Sequence, residues 1–374
     1  MQSVLAVVAG ACALCACADY DDPYYVHSVY RPAVAADANA SVFYLTDRHY
    51  DANLPSGFAN TRDGTPSCGT VLTHIPPARL PKGAMIFASL DKPVPQSCGT
   101  GQRELAAAIA GEARKDGCAS VLVWVHGFDT EFVSAALRGA QLGLDTQWRC
   151  PVAVFSWSSS GDRSQYDEDL VNARAAEPML AEFLRALADT GLRTDIVAHS
   201  MGTKLVLETL AKNTVQADQV VFAAADIGIR PEDEFATLTH AAAANFRHLT
   251  IYASHEDAVL AISKLLNHEE ARLGRDPRVA YHDAVPNVDV IDASEAHSDY
   301  TGHNYYGLAY EVIADMALAL DDVPTQTRLQ PRAGAEPTLL PGEDGPPYRL
   351  NIADNRTPGS TVRLLRWLIG LVSL

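Results

Sequence analysis

The run Ile196-Val197-Ala198-His199-Ser200-Met201-Gly202 sets a serine between two small residues, Ala198 and Gly202. A short apolar stretch leads in, and residues 203–211 follow with helix-like composition. This is the layout of a nucleophile elbow. The serine sits on a sharp strand-to-helix turn, and small neighbours let the helix pack back against the strand. The pattern usually reads Gly-x-Ser-x-Gly. Ala198 occupies the first glycine position, and alanine tolerates positive φ poorly. The chemistry is nucleophilic: Ser200 would attack a carbonyl carbon, provided that a base takes its proton and an acid orients that base.

Where such an elbow uses a triad, the acid and the histidine follow the serine in chain order. Residues 249–253 form an apolar run ending in Ser254-His255-Glu256-Asp257, and the last such run is followed by Gly302-His303-Asn304. Asp257 and His303 are the candidate acid and base. Asp226, one strand earlier, is the reserve acid, and Glu256 is a weaker one. His297 competes with His303 for the base. His199, inside the elbow, reads as a packing and hydrogen-bonding histidine. An oxyanion needs donors already in place. The Met201 amide, after the nucleophile, would supply one, and the Phe128 amide, after the apolar run 121–125, the other. His126 in that loop reads as a strand-ending histidine with satisfied partners.

Elements that could position these groups are legible as alternating apolar runs and amphipathic stretches. Residues 121–125, 152–157, 220–225, 249–253 and 288–291 are strand-like, as is the run before Ser200. Residues 132–144, 170–187 and 258–266 carry apolar side chains at helical spacing, with Asp169 as a candidate start for the second. Strand–helix alternation predicts a mostly parallel central sheet with helices on both faces. Ligands on such sheets bind at the carboxyl ends of the strands. His126, Ser200, Asp226 and Asp257 all follow strand ends and should share one edge.

Composition bounds the rest. The chain has 374 residues, 48% of them hydrophobic, and a formal charge of −17. One large domain over 42–320, flanked by tails, is the natural partition. The acidic balance argues against nucleic acid as a partner. The sequence has no zinc-type Cys/His spacing and no phosphate loop, and it implies no cofactor and no metal. Residues 4–17 are apolar and uncharged, and acidic residues follow at once. Residues 1–17 therefore read as a leader, too short to span a bilayer and without the basic start of a secretory signal. Leu14-Cys15-Ala16-Cys17 resembles a bacterial lipobox with Cys17 as the lipidated residue. This reading places the protein in a bacterial envelope, as a lipoprotein or in the periplasm, or secreted. A plain secretory signal and a cytosolic start are the alternatives. Residues 18–41 read as an N-terminal linker and 321–360, rich in Pro and Gly, as a second one. Residues 361–374 read as an amphipathic helix, for a membrane surface or for the protein's own. Cys68, Cys98, Cys118 and Cys150 lie beyond the leader. An even number in an exported chain points to disulfides, with three pairings open, and four buried thiols are the alternative.

The chain resembles a known family. Val-Trp-Val-His-Gly-Phe at 123–128, Phe-Ser-Trp-Ser-Ser at 155–159, Ala-His-Ser-Met-Gly at 198–202, Ala-Ala-Asp-Ile at 224–227, Tyr-Ala-Ser-His-Glu-Asp at 252–257 and Gly-His-Asn-Tyr-Tyr-Gly at 302–307 carry the resemblance. Val-Phe-Tyr-Leu-Thr-Asp-Arg at 42–48 looks like the opening strand. The family is the esterase/lipase-superfamily group of α/β-hydrolases catalogued as a domain of unknown function, DUF900. The resemblance spans roughly residues 42–320. It implies the α/β-hydrolase fold and a Ser200, Asp257, His303 triad, but no particular substrate. It also implies that runs 121–125 and 152–157 are parallel neighbours. Cys118 and Cys150 would then meet at the edge opposite the site, leaving Cys68 for Cys98.

Two classes of function follow. One is a serine hydrolase of small-molecule carboxylic esters, with amides, thioesters or acyl transfer served by the same machinery. The other is a non-catalytic envelope or partner-binding protein on a hydrolase scaffold.

Overall fold

The computed structural model describes residues 38–75, 89–98, 102–229, 234–267, 271–277, 287–296, 301–328, 339–340 and 348–350. The leader, Cys17, His297 and residues 361–374 lie outside the described residues, as do parts of both linkers.

The elements run β1 (Ala38–Tyr50), β2 (Phe58–Ile75), β3 (Ser89–Leu90), β4 (Gln96–Ser97), α1 (Arg103–Lys115), β5 (Ser120–Val125), α2 (Phe132–Asp145), β6 (Val152–Ser156), α3 (Tyr166–Ala175), α4 (Glu177–Asp189), β7 (Arg193–His199), α5 (Met201–Lys212), β8 (Ala217–Ala223) and β9 (Gly228–Ile229). They continue with α6 (Glu234–Ala242), β10 (Phe246–Ala253), α7 (Ala258–Leu266), β11 (Ala271–Arg272), β12 (Val288–Asp292), α8 (Tyr305–Leu308), α9 (Tyr310–Leu320), α10 (Thr325–Arg328), β13 (Leu339–Leu340) and β14 (Tyr348–Leu350).

One sheet has the order β13-β14-β12-β10-β8-β7-β5-β6-β1-β2-β3, with β4 also on β2. Every neighbouring pair from β14 to β1 is parallel, and antiparallel pairs close both edges. Strand β5 shows why the parallel runs read as unbroken apolar sequence: all six of its residues are buried. Val121, Val123 and Val125 pack in one core with Leu105 of α1, Leu184 of α4 and Leu205 of α5. Leu122 and Trp124 pack in a second core with Ala136 of α2 and with Val312 and Met316 of α9. Helices therefore cover both faces. From β5 the chain moves to β6 on one side, then crosses back to β7 on the other. That reversal opens a crevice at the carboxyl ends of β5 and β7, where α/β sheets hold their sites.

Several sequence expectations need correction. The amphipathic run 170–187 is two helices, α3 and α4, that break at Ala176 with Pro178 in the first turn of α4. Proline has no N–H for a preceding carbonyl and suits only a first turn. Asp169 therefore does not start a helix. It lies inside α3, fully buried. Strand β2 had no apolar run to reveal it, because its first half is polar and largely exposed. Segment 321–360 is not linker throughout. It supplies α10, β13 and β14, and β14 lies parallel to β12 with Tyr348 opposite Ile291. Leu350, buried in the second core, explains why this Pro- and Gly-rich stretch still joins the sheet edge. The boundary at residue 41 also moves, since β1 begins at Ala38.

Candidate active site

The elbow is built by backbone geometry. Ser200 has φ 51° and ψ −124°, outside the ordinary regions for a residue with a side chain. Four hydrogen bonds hold it there. Its amide donates to Ala223 O at 3.0 Å, and its carbonyl accepts from the amides of Thr203 at 3.0 Å and Asp226 at 3.3 Å. Thr203 Oγ1 donates to the same carbonyl at 2.6 Å. Gly202 is required by space. A Cβ there would stand 2.3 Å from His126 O and 2.9 Å from Val125 O, both backbone atoms. Gly127 also faces the elbow closely, since a Cβ there would meet Ser200 Cβ at 2.8 Å. Ala198 poses no conflict: it is an ordinary residue of β7, paired between Val125 and Phe222. The positive φ of the turn falls on Ser200, not on the first small residue.

The candidate acid and base come together. His303 Nδ1 lies 2.7 Å from Asp257 Oδ2. Asp257 ends the loop after β10 and caps α7, its Oδ1 accepting the Leu260 amide at 2.9 Å. The Ala258 amide donates to Thr301 O at 2.8 Å, tying the start of α7 to the loop that carries His303. Burial pushes the Asp257 carboxyl upward, while His303 and the Leu260 amide pull it back. An imidazole that donates Nδ1–H to this carboxylate presents Nε2 as its acceptor.

Next to His303 stands His199, its ring centroid 4.5 Å from that of His303 and 4.3 Å from that of Tyr306. Burial first, and the His303 charge second, hold its pKa well below the usual histidine range. His199 is thus a neutral wall. His126 is likewise neutral, its pKa lowered to about 3 by burial. It stacks on Trp157 at 4.9 Å, and Trp157 Nε1 donates to His126 O at 2.9 Å.

The family model "Alpha/beta hydrolase of unknown function (DUF900)" matches residues 102–319. The chain belongs to this family. No curated protein matches it. Among solved structures it is similar to a thermostable esterase from Pseudomonas putida, at 13% identity over 87% of this chain and 89% of that one, with a TM-score of 0.35. It is similar also to carboxyl esterase 2 from the fungus Tuber melanosporum, at 10% identity over 84% and 97%, with a TM-score of 0.37. A fungal esterase from Rhizomucor miehei gives 10% identity over 78% and 85%, with a TM-score of 0.35.

In this α/β-hydrolase a cavity of about 190 Å³ opens over Ser200 and His303. Phe128, Val259, Ile262 and Leu266 give it an apolar wall, while Arg138 and Tyr306 stand in its lining from α2 and α8. Asp226 also lines the cavity, but its carboxylate is engaged elsewhere. Oδ2 accepts from Tyr166 Oη at 2.8 Å, Oδ1 accepts from Ser263 Oγ at 2.6 Å, and Arg272 Nε lies 3.3 Å from Oδ1. Glu256 turns outward to His255, at 3.3 Å. Of the three candidate acids, Asp257 is the one the structure brings to His303. Phe128 follows the end of β5, and Met201 begins α5 directly after Ser200. Among the described residues no three His, Cys, Asp or Glu side chains gather as metal ligands.

The cysteines pair as Cys68–Cys98 and Cys118–Cys150, each with Cα atoms 5.5 Å apart. The second pair closes at the amino edge, but not by direct register. Leu122 lies opposite Val152, which puts Cys150 level with Ser120. Cys118 reaches it from the turn after α1, where its amide bonds Ala113 O at 2.7 Å.

Two buried groups near the site had no assigned role in the sequence. In the sequence Arg48 falls within the stretch 42–48 with no sign of a function, and Asp169 looks only like a helix start. Both reach the loop that carries Phe128.

Proposed function

We propose that the protein is a serine hydrolase of carboxylic esters. Ser200 is the nucleophile, His303 the general base and acid, and Asp257 the orienting carboxylate. The observation that carries this reading is the 2.7 Å contact between His303 Nδ1 and the buried Asp257 carboxylate, with His303 lining the same cavity as the strained Ser200 turn.

Ser200 Oγ attacks the ester carbonyl as His303 Nε2 takes its proton. The carbonyl oxygen becomes an oxyanion, held by the Phe128 and Met201 amides. Collapse expels the alcohol, which receives the proton from His303, and leaves an acyl-enzyme. Water then attacks, again deprotonated by His303, and the acid departs. His199 and His126, kept neutral by burial, do not compete for the proton. The wall of Phe128, Val259, Ile262 and Leu266 suits an apolar acyl or alcohol group.

A fluorophosphonate probe tests the reading, since it labels a serine only where the base activates it. Wild type should be labelled and should hydrolyse short p-nitrophenyl esters. Ser200→Ala should lose both with its fold intact. A Ser200→Ala protein that kept more than a small fraction of the activity would refute the assignment. We propose also that Cys17 is the lipidated residue of a bacterial envelope protein. Metabolic labelling with a palmitate analogue should mark wild type and spare Cys17→Ser.

A further inference from the structure

The loop that carries Phe128 is gripped by two buried charges that take no part in the chemistry described so far. Arg48, at the end of β1, has no exposed surface. Its guanidinium donates to Thr130 O at 2.6 Å and to Ser159 O at 3.0 Å, and also to Asn60 Oδ1 and Ser156 Oγ, each at 3.1 Å. Asp169, in α3, is fully buried too. It accepts from Ser159 Oγ at 2.5 Å, from the Ser160 amide at 2.6 Å and from the Asp129 amide at 3.4 Å. Ser159 Oγ in turn accepts the Thr130 amide at 3.1 Å.

These bonds converge on one short stretch. The amides of Asp129 and Thr130 point to Asp169 and Ser159, and the Thr130 carbonyl points to Arg48. The peptide units that follow Phe128 are thus held from both sides. Asp129 is also strained, with φ 52°, a conformation that costs free energy and persists only where its surroundings impose it. A loop with this much backbone constraint is not needed to end a strand. It is needed where a backbone N–H must stand in place before charge develops, because preorganisation is what makes an oxyanion donor effective. Burying Arg48 and Asp169 carries a desolvation cost, and nothing in packing alone calls for two charges there. Burial lowers the Arg48 pKa only to about 10, with Asp47 and Asp169 opposing the fall, so the guanidinium stays charged at neutral pH.

We infer that Arg48 and Asp169, with Ser159 between them, form a clamp that fixes the Phe128 amide as an oxyanion donor. They are positioning residues: they touch neither substrate nor Ser200. This rests on the esterase reading above. The clamp stiffens the loop on the β6 side of the cavity, and the elbow itself is held independently by Ala223, Asp226 and Thr203.

The test is a kinetic split combined with a transition-state mimic. Asp169→Asn is nearly isosteric, Arg48→Lys keeps the charge but not the fork, and Ser159→Ala removes only the bridge. Each is assayed on a short p-nitrophenyl ester, and each is titrated with an alkyl boronic acid, whose tetrahedral serine adduct places an oxygen in the hole. Asp169→Asn should lower kcat by about 10- to 100-fold, less than the roughly 10²–10³-fold that loss of a whole oxyanion donor costs. KM should change little, and the boronate should bind more weakly by a similar factor. Arg48→Lys should fall between wild type and Arg48→Met. If Arg48→Met does not fold, Ser159→Ala decides, with a smaller loss in kcat and in boronate affinity together. Folded variants with wild-type kcat and boronate affinity, and only a lower melting temperature, would overturn the clamp. A wild type that neither hydrolyses esters nor takes the fluorophosphonate would instead overturn the esterase reading, and the clamp with it.

Discussion

Asp257 serves His303 and α7 with the same carboxylate. One oxygen faces the His303 ring nitrogen at 2.7 Å, and the other accepts the Leu260 amide at 2.9 Å. A helix cap thereby fixes the rotamer of the candidate catalytic acid, and the acid fixes the histidine. The two roles separate by mutation. Asparagine still caps a helix as well as aspartate does, but it offers His303 the wrong partner for its tautomer. Asp257→Asn should therefore lower kcat by about 10³–10⁴-fold with little change in melting temperature. Asp257→Ala should lose as much activity and about 1 kcal/mol of stability besides. Asp226→Asn should cost stability, through Tyr166, Ser263 and Arg272, but keep kcat near that of wild type. Steady-state kinetics and thermal melts on the three variants check this. An Asp226 variant as inactive as Asp257→Asn would reverse the assignment of the acid.

Much of this arrangement was legible before the structure, and the reasons differ by residue. The parallel strands are buried on both faces, so they appear as unbroken apolar runs, and each site residue follows the end of one. Chain order singles out Ser200, Asp257 and His303 as first candidates, but leaves Asp226, Glu256 and His297 open. The polar half of β2 has no such signature, since it is held by its pairing with β1 rather than by its own burial. The clamp was hidden for another reason. Arg48 lies 111 residues from Ser159, and only the order β5-β6-β1 brings it to the loop that Ser159 and Asp169 hold. A charged residue in a strand reads as exposed until its partners are known. The weakness seen in Ala198 dissolves similarly: the positive φ belongs to Ser200.

The two small positions of the elbow should respond in opposite ways. Gly202→Ala adds a methyl that would meet backbone at 2.3 Å. No side chain there can move aside, so α5 must shift away from β5 and carry Met201 with it. Loss of about 1–3 kcal/mol or more is expected, with activity falling well beyond the loss of folded protein. Ala198→Gly only loosens a strand, at about 0.5–1 kcal/mol, and should leave kcat unchanged in the folded fraction. Denaturant melts and active-site titration with the fluorophosphonate separate the two quantities. Equal behaviour of the two variants would contradict the geometry given for the elbow.

The Cys118–Cys150 bridge should contribute stability without touching the chemistry. It joins the amino edge, across the sheet from Ser200, and closes a loop of sequence separation 32. The chain-entropy model gives about 3–4 kcal/mol for a loop of that size. A Cys118→Ser, Cys150→Ser double variant should lose stability by an amount in that range and keep its kcat at 25 °C. Changing both cysteines together avoids leaving a reactive thiol. A double variant that melts with wild type would show that the bridge constrains nothing, and a fall in kcat would show that the two edges are coupled.

The final prediction concerns Asp195, a carboxylate that the fold holds at a cost. It is fully buried in β7, where its oxygens meet the Gln219 amide at 3.0 Å and Arg193 Nε at 3.2 Å. Burial outweighs both partners, and Asp218 adds a like charge, so its pKa is pushed up to about 6. The unfolded value is about 3.9. A raised carboxyl pKa means that the folded state binds the proton more tightly. The stabilisation is fully present below about pH 3.9 and is lost as the pH rises through about 6. Above pH 7 the fold carries an ionised group it would hold better neutral. Asp195→Asn removes that charge and keeps an acceptor for the Gln219 amide. Arg193 is part-exposed and also reaches Asp218 at 3.4 Å, so its pair with Asp195 contributes little. Asp195→Asn should be more stable than wild type at pH 8 by about 1–3 kcal/mol, the scale of a shift of this size. The gain should shrink toward pH 4.5, where wild type is protonated in the fold. Urea melts at the two pH values measure both terms, and a variant less stable at pH 8, or a gain that grows on acidification, would show that the charged form of Asp195 is the one the fold favours.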